Sequence, residues 1–271
     1  LEAHIRDLPE LRALWVEPQQ QEGLLEAERV IERKLTEMGF EPVSQRLEWT
    51  TGGQVRVKRD GQWSVIPDPE PNRWRNIYVD IRGTVKPEEV IILGAHFDAR
   101  EDTPGADDNA SGVAGPLRGA RPRKAREVEA TVRIVFFNLE EVGLIGASEH
   151  AAWTKQRVDA GLEKVVGMVS VEMIGYYCDE PGCQRSPIPP IPGVFTPPDT
   201  GDMIALVATA ASAEFARELA VNMRATAPAM PVFLLDFVPG NGEPMPDVRR
   251  SDHAVFWDAG FPAAMLTDTS E

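Results

Sequence analysis

From Leu24 to Met38 the apolar positions Leu24, Ala27, Val30, Ile31, Leu35 and Met38 recur along the chain. Their spacing of three and four puts them on one face of a helix, and Gly39 is placed to stop it. The period then changes. FEPVSQRLEW and QVRVKRDGQWSV read as edge strands with turn signals between them, and RNIYVDIRG alternates Ile77, Val79 and Ile81 like a half-buried strand. EEVIILGAHFD, ATVRIVFFNLEE and KVVGMVSVEMIG each hold a short unbroken apolar run, as central strands covered on both faces do. Helical patterns lie around 143–160 and at 202–226 (DMIALVATAASAEFARELAVNMRAT), and AMPVFLLDFVPG and FPAAMLTDTS supply further strands. This alternation predicts an α/β fold, a mixed and mostly parallel central sheet with helices on both faces. With no repeat and no flexible linker, residues 1–271 are expected to form one domain.

Two stretches break the pattern. Pro116, Gly119 and Pro122 predict a short or broken helix within 115–129. The proline-rich QRSPIPPIPGVFTPPD, 184–199, predicts an irregular, stiff surface loop. Composition adds a formal charge of -15, which repels nucleic acid and anionic membranes and excludes both as expected partners. No apolar run is long enough for a membrane span. No signal peptide is visible at Leu1, and the sequence lacks an initiator Met, so a processed form or a fragment is expected. Cys178 and Cys183, in CDEPGC, either close a small disulfide loop in an exported protein or stand as two thiols in a turn. A secreted or periplasmic location is favoured over a cytoplasmic one.

The chemistry lies where the apolar runs end. His96 and Asp98 follow VIILGA, Glu140 and Glu141 follow VRIVFFNL, and Glu172 follows VVGMVSV. In an open α/β sheet, ligands bind outside the carboxyl ends of the strands. Three strands thus bring His, Glu-Glu and Glu to one edge, and Asp107 and Asp108 follow the first of them in a Gly-rich loop. Taken singly, the ordinary reading of each piece wins: a packed histidine, a helix cap at Asn109 or Ser111, a solvated Glu pair. Taken together, carboxylates that converge in this way need a cation to offset their repulsion. A mixed His and carboxylate set suits zinc or a similar first-row divalent ion, whereas calcium wants more oxygens and no imidazole. Two ions would explain a carboxylate too many for one. Of the Glu140-Glu141 pair, one can bind metal while the other stays free as a base.

GAHFD, PGADDNASGVA, NLEEVGLIGASEH, VSVEMIGYY and SDHAVFWDAGFPAAMLTDT stand in the order and approximate spacing of the M28 family of zinc aminopeptidases. From about residue 3 to its end the chain resembles that family. The resemblance implies a zinc-exopeptidase fold of the phosphorylase/hydrolase-like type, holding two Zn2+. It implies His96 and Glu172 on the first zinc, where many relatives carry Asp in place of the Glu. It also implies Asp108 as the bridge, with a cis bond to Asn109, and Glu141 on the second zinc. Glu140 is implied as general base, and Asp98 as the residue orienting His96. The implied activity is hydrolysis of the amino-terminal residue from a peptide or amino-acid-derivative substrate, whose ammonium sits among the acids. Candidate pocket residues are Asp252, His253 and Tyr176, with Arg249, Arg250 and Tyr177 near the mouth and the proline-rich loop as one wall.

One departure stands out. Relatives carry the last ligand of the second zinc as a His in a motif resembling YHTPDD, beyond SDH, and this chain ends before it. Truncation at the C-terminus is the favoured expectation; the alternatives are His253 as a substitute or a weak second zinc. His4 and His150 are expected on the surface with no role. Competing functions are a glutaminyl-cyclase-like zinc aminoacyltransferase and a non-catalytic, metal-poor binding domain of the same fold.

Overall fold

The computed structural model describes residues 2–18, 20–120, 127–185, 190, 192–193 and 196–268. A short helix α1 (Glu2–Arg6) leads to α2 (Glu22–Glu37), whose Leu24, Ala27, Val30, Ile31 and Leu35 are buried as the three-four spacing predicts. The strands β1 (Val43–Arg46), β4 (Arg75–Ile81), β5 (Lys86–His96), β6 (Ala130–Phe137) and β7 (Lys164–Val171) follow in the chain. Between β1 and β4 stand β2 (Gln54–Arg59) and β3 (Gln62–Pro67). These two pair only with each other, as an antiparallel hairpin separate from the main sheet. Beyond β7 come β8 (Ile204–Thr209), β9 (Val232–Val238) and β10 (Ala263–Thr267).

The main sheet has eight strands in the order β1-β4-β6-β5-β7-β10-β8-β9. The pairs β5–β6, β5–β7, β7–β10 and β8–β9 are parallel, and the rest are antiparallel, so the sheet is mixed with a parallel centre. Helices cover both faces. Ile134 and Phe136 of β6 pack with α2 and with α3 (Gly112–Ala120), through Val113 and Leu117. Val135 and Phe137 point the other way, toward α4 (Ile145–Asp159) and α6 (His253–Asp258). Strand alternation sorts the side chains between two cores. Helix α5 (Ala213–Thr226) lies against β8 and β9 through Ala216 and Ala220.

Three expectations are corrected. The 202–226 segment is not one helix: its first part, IALVAT, is the strand β8, and Thr209 caps the turn that leads into α5. An apolar run of six residues suits a covered strand as well as a helix, and pairing to β9 and β10 decides the matter. His4 and His150 are buried, not exposed. His150 lies on the inner side of α4, where its ring meets Tyr78, Phe137 and Trp153 and its Nδ1 lies 2.7 Å from Gln45 Oε1. In the 115–129 stretch α3 ends at Ala120, short as predicted; residues 121–126 lie outside the described residues. So do 186–189, 191 and 194–195 of the proline-rich loop, whose described residues form neither helix nor strand.

Candidate metal centre

The parallel register brings the ends of three neighbouring strands level. His96 closes β5 opposite Phe137, the last residue of β6, and Gly94 lies opposite Ser170 near the end of β7. The residues that follow each strand therefore emerge side by side. His96 Nε2 lies 3.2 Å from Asp108 Oδ1, 3.4 Å from Glu172 Oε2 and 3.9 Å from Glu140 Oε2. Its Nδ1 lies 3.1 Å from the backbone oxygen of Asp98 and 3.4 Å from Asp98 Oδ1. A proton on Nδ1 satisfies that side and leaves the Nε2 lone pair facing the carboxylates.

Asp98 does more than face the imidazole. Its Oδ1 accepts from the backbone N–H of Glu140 and its Oδ2 from that of Glu141, each at 3.0 Å. One buried carboxylate thus ties the end of β5 to the turn after β6 and sets where both glutamates begin.

The Asp107-Asp108 loop is anchored in the same manner. Gly105 holds φ +59°, and a Cβ there would lie 2.6 Å from Arg12 Nη2, so both conformation and space require glycine. The Asp108–Asn109 peptide bond is cis. Asn109 Nδ2 donates to the Val171 carbonyl (2.9 Å), while its Oδ1 accepts from Gly112 N–H, in the manner of a helix cap, and from Met173 N–H, both at 3.0 Å. Asp107 Oδ1 accepts from Ser111 Oγ and Gly175 N–H at 2.8 Å, which joins the loop to the segment after β7. Ser251 Oγ donates to Glu172 Oε2 at 2.7 Å.

The electrostatics are those of a site that needs positive charge. Burial pushes the Glu140 carboxyl well above its ordinary range; the charges of Asp252, Glu172 and Asp98 add to this, and His96 opposes it. Burial pushes Glu141 up to about 8, with Asp108 adding to the shift. Burial by itself would lower His96, but Glu140 and Glu172 raise it well above its usual value. Asp252 is fully buried and pushed well above its range, first by burial. Neither of its oxygens, nor Glu141 Oε1, has a hydrogen-bond partner among the described residues. Buried carboxylate oxygens left unpaired are costly. His96, Glu140 and Glu172 each offer one ligand atom within 4.8 Å of the others. Imidazole and carboxylate donors at that separation fit a zinc-like divalent ion, which would offset these charges.

The candidate residues do not all gather here. Asp98, Asp108, Glu140, Glu141 and Glu172 meet around His96, and Asp252 lies within electrostatic reach of them. His253 is outside that group: its Nε2 is 2.8 Å from the Val248 carbonyl, its ring packs edge-on against Trp257, and burial lowers its pKa to about 4. Tyr176 is partly exposed; its N–H donates to Asp268 Oδ2 at 2.6 Å and its hydroxyl to the Cys183 carbonyl at 3.3 Å. Cys178 and Cys183 are joined as a disulfide. Arg249 is paired with Asp258.

Two contributors were not singled out by the sequence. Arg12 is buried and donates to the carbonyls of Phe97, Pro9, Pro104 and Gly105 at 2.7–2.9 Å, so it clamps both ends of the stretch that carries Asp98 and leads into Asp108. It stands 85 residues from Phe97, and nothing local marks it. Asp268 is buried beside the same segment and pushed up to about 7 by burial and by Asp107.

The sequence profile of peptidase family M28 matches residues 76–271. The chain is 33% identical over 213 residues to the uncharacterized protein YfbL of Escherichia coli K12, an alignment covering 73% of this chain and 60% of YfbL. It is 27% identical over 223 residues to a probable zinc metalloprotease of Leptosphaeria maculans, covering 75% and 48% of the two. The chain thus spans about half the length of the curated relatives it matches. Its fold is similar to that of the Legionella pneumophila LapA aminopeptidase, with a TM-score of 0.62 and 16% identity over 99% of this chain and 59% of that one. It is also similar to that of a Porphyromonas gingivalis glutaminyl cyclase, with a TM-score of 0.57 and 17% identity over 100% and 81%.

Proposed function

Since the chain belongs to peptidase family M28, we propose that it serves a zinc-dependent aminopeptidase, which hydrolyses the amino-terminal residue from peptides or amino-acid derivatives. The observation that carries this reading is the convergence of His96, Glu140 and Glu172, with Asp108 and Glu141 beside them, at three level strand ends. His96, Glu172 and Asp108 would hold one ion, and Asp108 and Glu141 a second. When bound, zinc supplies Lewis-acid polarisation of the scissile carbonyl and makes water a stronger acid.

The remaining steps fall to the chain's own groups. Glu140 takes the proton from the attacking water and hands it to the leaving amine. Its raised proton affinity suits a group that must hold that proton between the two events. Asp98, through the Glu140 and Glu141 N–H groups, keeps the base from drifting. The surplus of carboxylates attracts the substrate's ammonium and favours a free amino terminus. The Cys178–Cys183 disulfide supports a secreted or periplasmic location, where such bonds persist.

Elemental analysis of zinc per chain, after metal-free dialysis and reloading, is the first test. Wild type is expected to bind zinc, and His96→Ala and Asp108→Ala to lose it. Hydrolysis of a leucine anilide but not its N-acetylated form is expected. Unchanged zinc in both variants would overturn the ligand assignment. Cyclisation of an amino-terminal glutamine peptide without hydrolysis would overturn the aminopeptidase reading in favour of an aminoacyltransferase.

A further inference from the structure

The turn between β6 and α4 carries Glu140 and Glu141, and its backbone is held in a shape that its residues do not favour. Leu139 and Leu144 have φ of 59° and 57°, in the left-handed region that residues other than glycine rarely occupy. Such residues persist where the surroundings over-determine them, and they gather at functional sites. Within the turn, the N–H groups of Gly143 and Leu144 donate to the Glu140 carbonyl at 2.9 and 2.8 Å. The N–H of Gly146, in the first turn of α4, donates to the Asn138 carbonyl at 2.9 Å and closes the turn.

Asn76 of β4 joins the same two ends a second time. Its Oδ1 accepts from the Asn138 N–H at 3.0 Å, and its Nδ2 donates to the Gly146 carbonyl at 2.8 Å. One backbone donor and one backbone acceptor fix which way this amide faces. A Cβ on Gly146 would lie 2.3 Å from Asn76 Oδ1, so glycine is what lets the amide in. Asn138 is gripped again from α2: its Nδ2 donates to Glu28 Oε1 at 3.0 Å, while its Oδ1 accepts from the Leu139 N–H at 3.0 Å. Asn76 and Asn138 are fully buried, and Glu28 is nearly so. Burial pushes Glu28 up to about 8, with the charge of Arg75 opposing it, so this frame carries little charge at neutral pH. Asp98 holds the middle of the turn, through the Glu140 and Glu141 N–H groups; Asn76 and Glu28 hold its ends.

Building on the aminopeptidase reading, we infer that Asn76 and Glu28 are positioning residues for the Glu140 base. Acting through Asn138 and Gly146, they keep the turn in the left-handed shape that aims Glu140 and Glu141 into the centre. They take no part in the proton transfers.

The test makes two measurements on wild type, Asn76→Ala, Glu28→Ala and Glu28→Gln. The first is hydrolysis of a leucine anilide at saturating zinc. Both alanine variants are expected to lose about 10–100-fold in kcat, as a misplaced catalytic group does, with KM little changed. Glu28→Gln keeps an acceptor for Asn138 and is expected to restore kcat. Arg133→Met, which costs stability elsewhere on β6, is the control and is expected to keep kcat in its folded fraction. The second measurement is amide hydrogen exchange in the metal-free chain. The Glu140 and Glu141 N–H groups are expected to exchange about tenfold faster in the alanine variants, the size of one neutral hydrogen bond, with the amides of β5 unchanged. Wild-type kcat in the alanine variants, an equal loss in Glu28→Gln or Arg133→Met, or unchanged exchange at the turn would overturn the inference. If Asn76→Ala does not fold, the two Glu28 variants decide. If wild type leaves the anilide uncut, the aminopeptidase reading falls and exchange decides the frame by itself: faster exchange supports it, and unchanged exchange overturns it.

Discussion

Strand β6 carries a buried charge near its start and delivers two more just past its end, and the two places are built in opposite ways. Arg133 is 1% exposed in its side chain. Its guanidinium is used up: Nε and Nη2 donate to Asp80, Nη1 and Nη2 donate to Glu163, and the rings of Tyr78 and Trp153 lie 5.4 and 4.8 Å away. Hydrogen bonds from Arg133 and Arg157 hold Glu163 below the ordinary carboxylate range despite its burial. At the far end, Glu140, Glu141 and Asp252 are driven the other way, and three of their buried oxygens have no partner among the described residues. One end has its charges balanced within the chain. The other keeps a deficit of positive charge that a bound ion and a substrate ammonium would fill. Charge paired in place serves stability; charge left unpaired, at a cost in stability, marks where chemistry is to be done.

This contrast can be broken at either end. The largest effect is expected from Glu140→Gln, which removes the base while keeping its shape: kcat on a leucine anilide should fall by about 10²–10⁴-fold, with zinc content measured alongside to separate base from ligand. Next is Arg133→Met, which leaves Asp80 without its guanidinium and the buried Glu163 with Arg157 alone. Urea unfolding should show a loss of about 3 kcal/mol, with activity of the folded fraction kept. A smaller effect of opposite sign is expected from Asp252→Asn. Measured in chelator at pH 8, the variant should be more stable than wild type by about 1–2 kcal/mol, because a buried charge without a partner has been removed. A loss of stability there would show that Asp252 is paired in the folded state.

The last effect concerns pH and tests the buried aromatic cluster beside Arg133. His150 has its pKa lowered to about 3 by burial, with Arg133 adding to the shift. Its folded value is below its unfolded one, so it leaves stability untouched above about pH 6.5. As pH falls from there toward 3, the unfolded chain takes up a proton that the folded chain refuses, and stability drops by up to about 1.4 kcal/mol per pH unit. The acid slope of His150→Gln should be shallower than that of wild type over this window. Identical slopes would mean that His150 titrates alike in both states.

Much of this could be read from residue order. The helix 22–37, the three central strands and the acids that follow them were legible because an apolar run, its length and the charged residue at its end are all local features. What escaped was non-local. The run IALVAT fits a strand or a helix equally, and only its neighbours β9 and β10 choose. His150 looks like any polar helix residue until Tyr78, Phe137 and Trp153 close around it. Arg12 carries no motif, Asp268 ends a motif without being marked out in it, and their contribution exists only once loops far apart in sequence meet.

The sequence by itself determined the α/β alternation, the family and which strand ends bear His96, Glu140, Glu141 and Glu172, since each rests on periodicity and short motifs. Tertiary structure alone decided that Asp98 and Asn76 grip the Glu140–Glu141 turn, that Asn109 binds the end of β7 and that His253 packs against Trp257. The reason is physical: hydrogen bonds and charge compensation depend on distances of a few ångströms between segments tens of residues apart, and those distances exist only after the sheet has set its register.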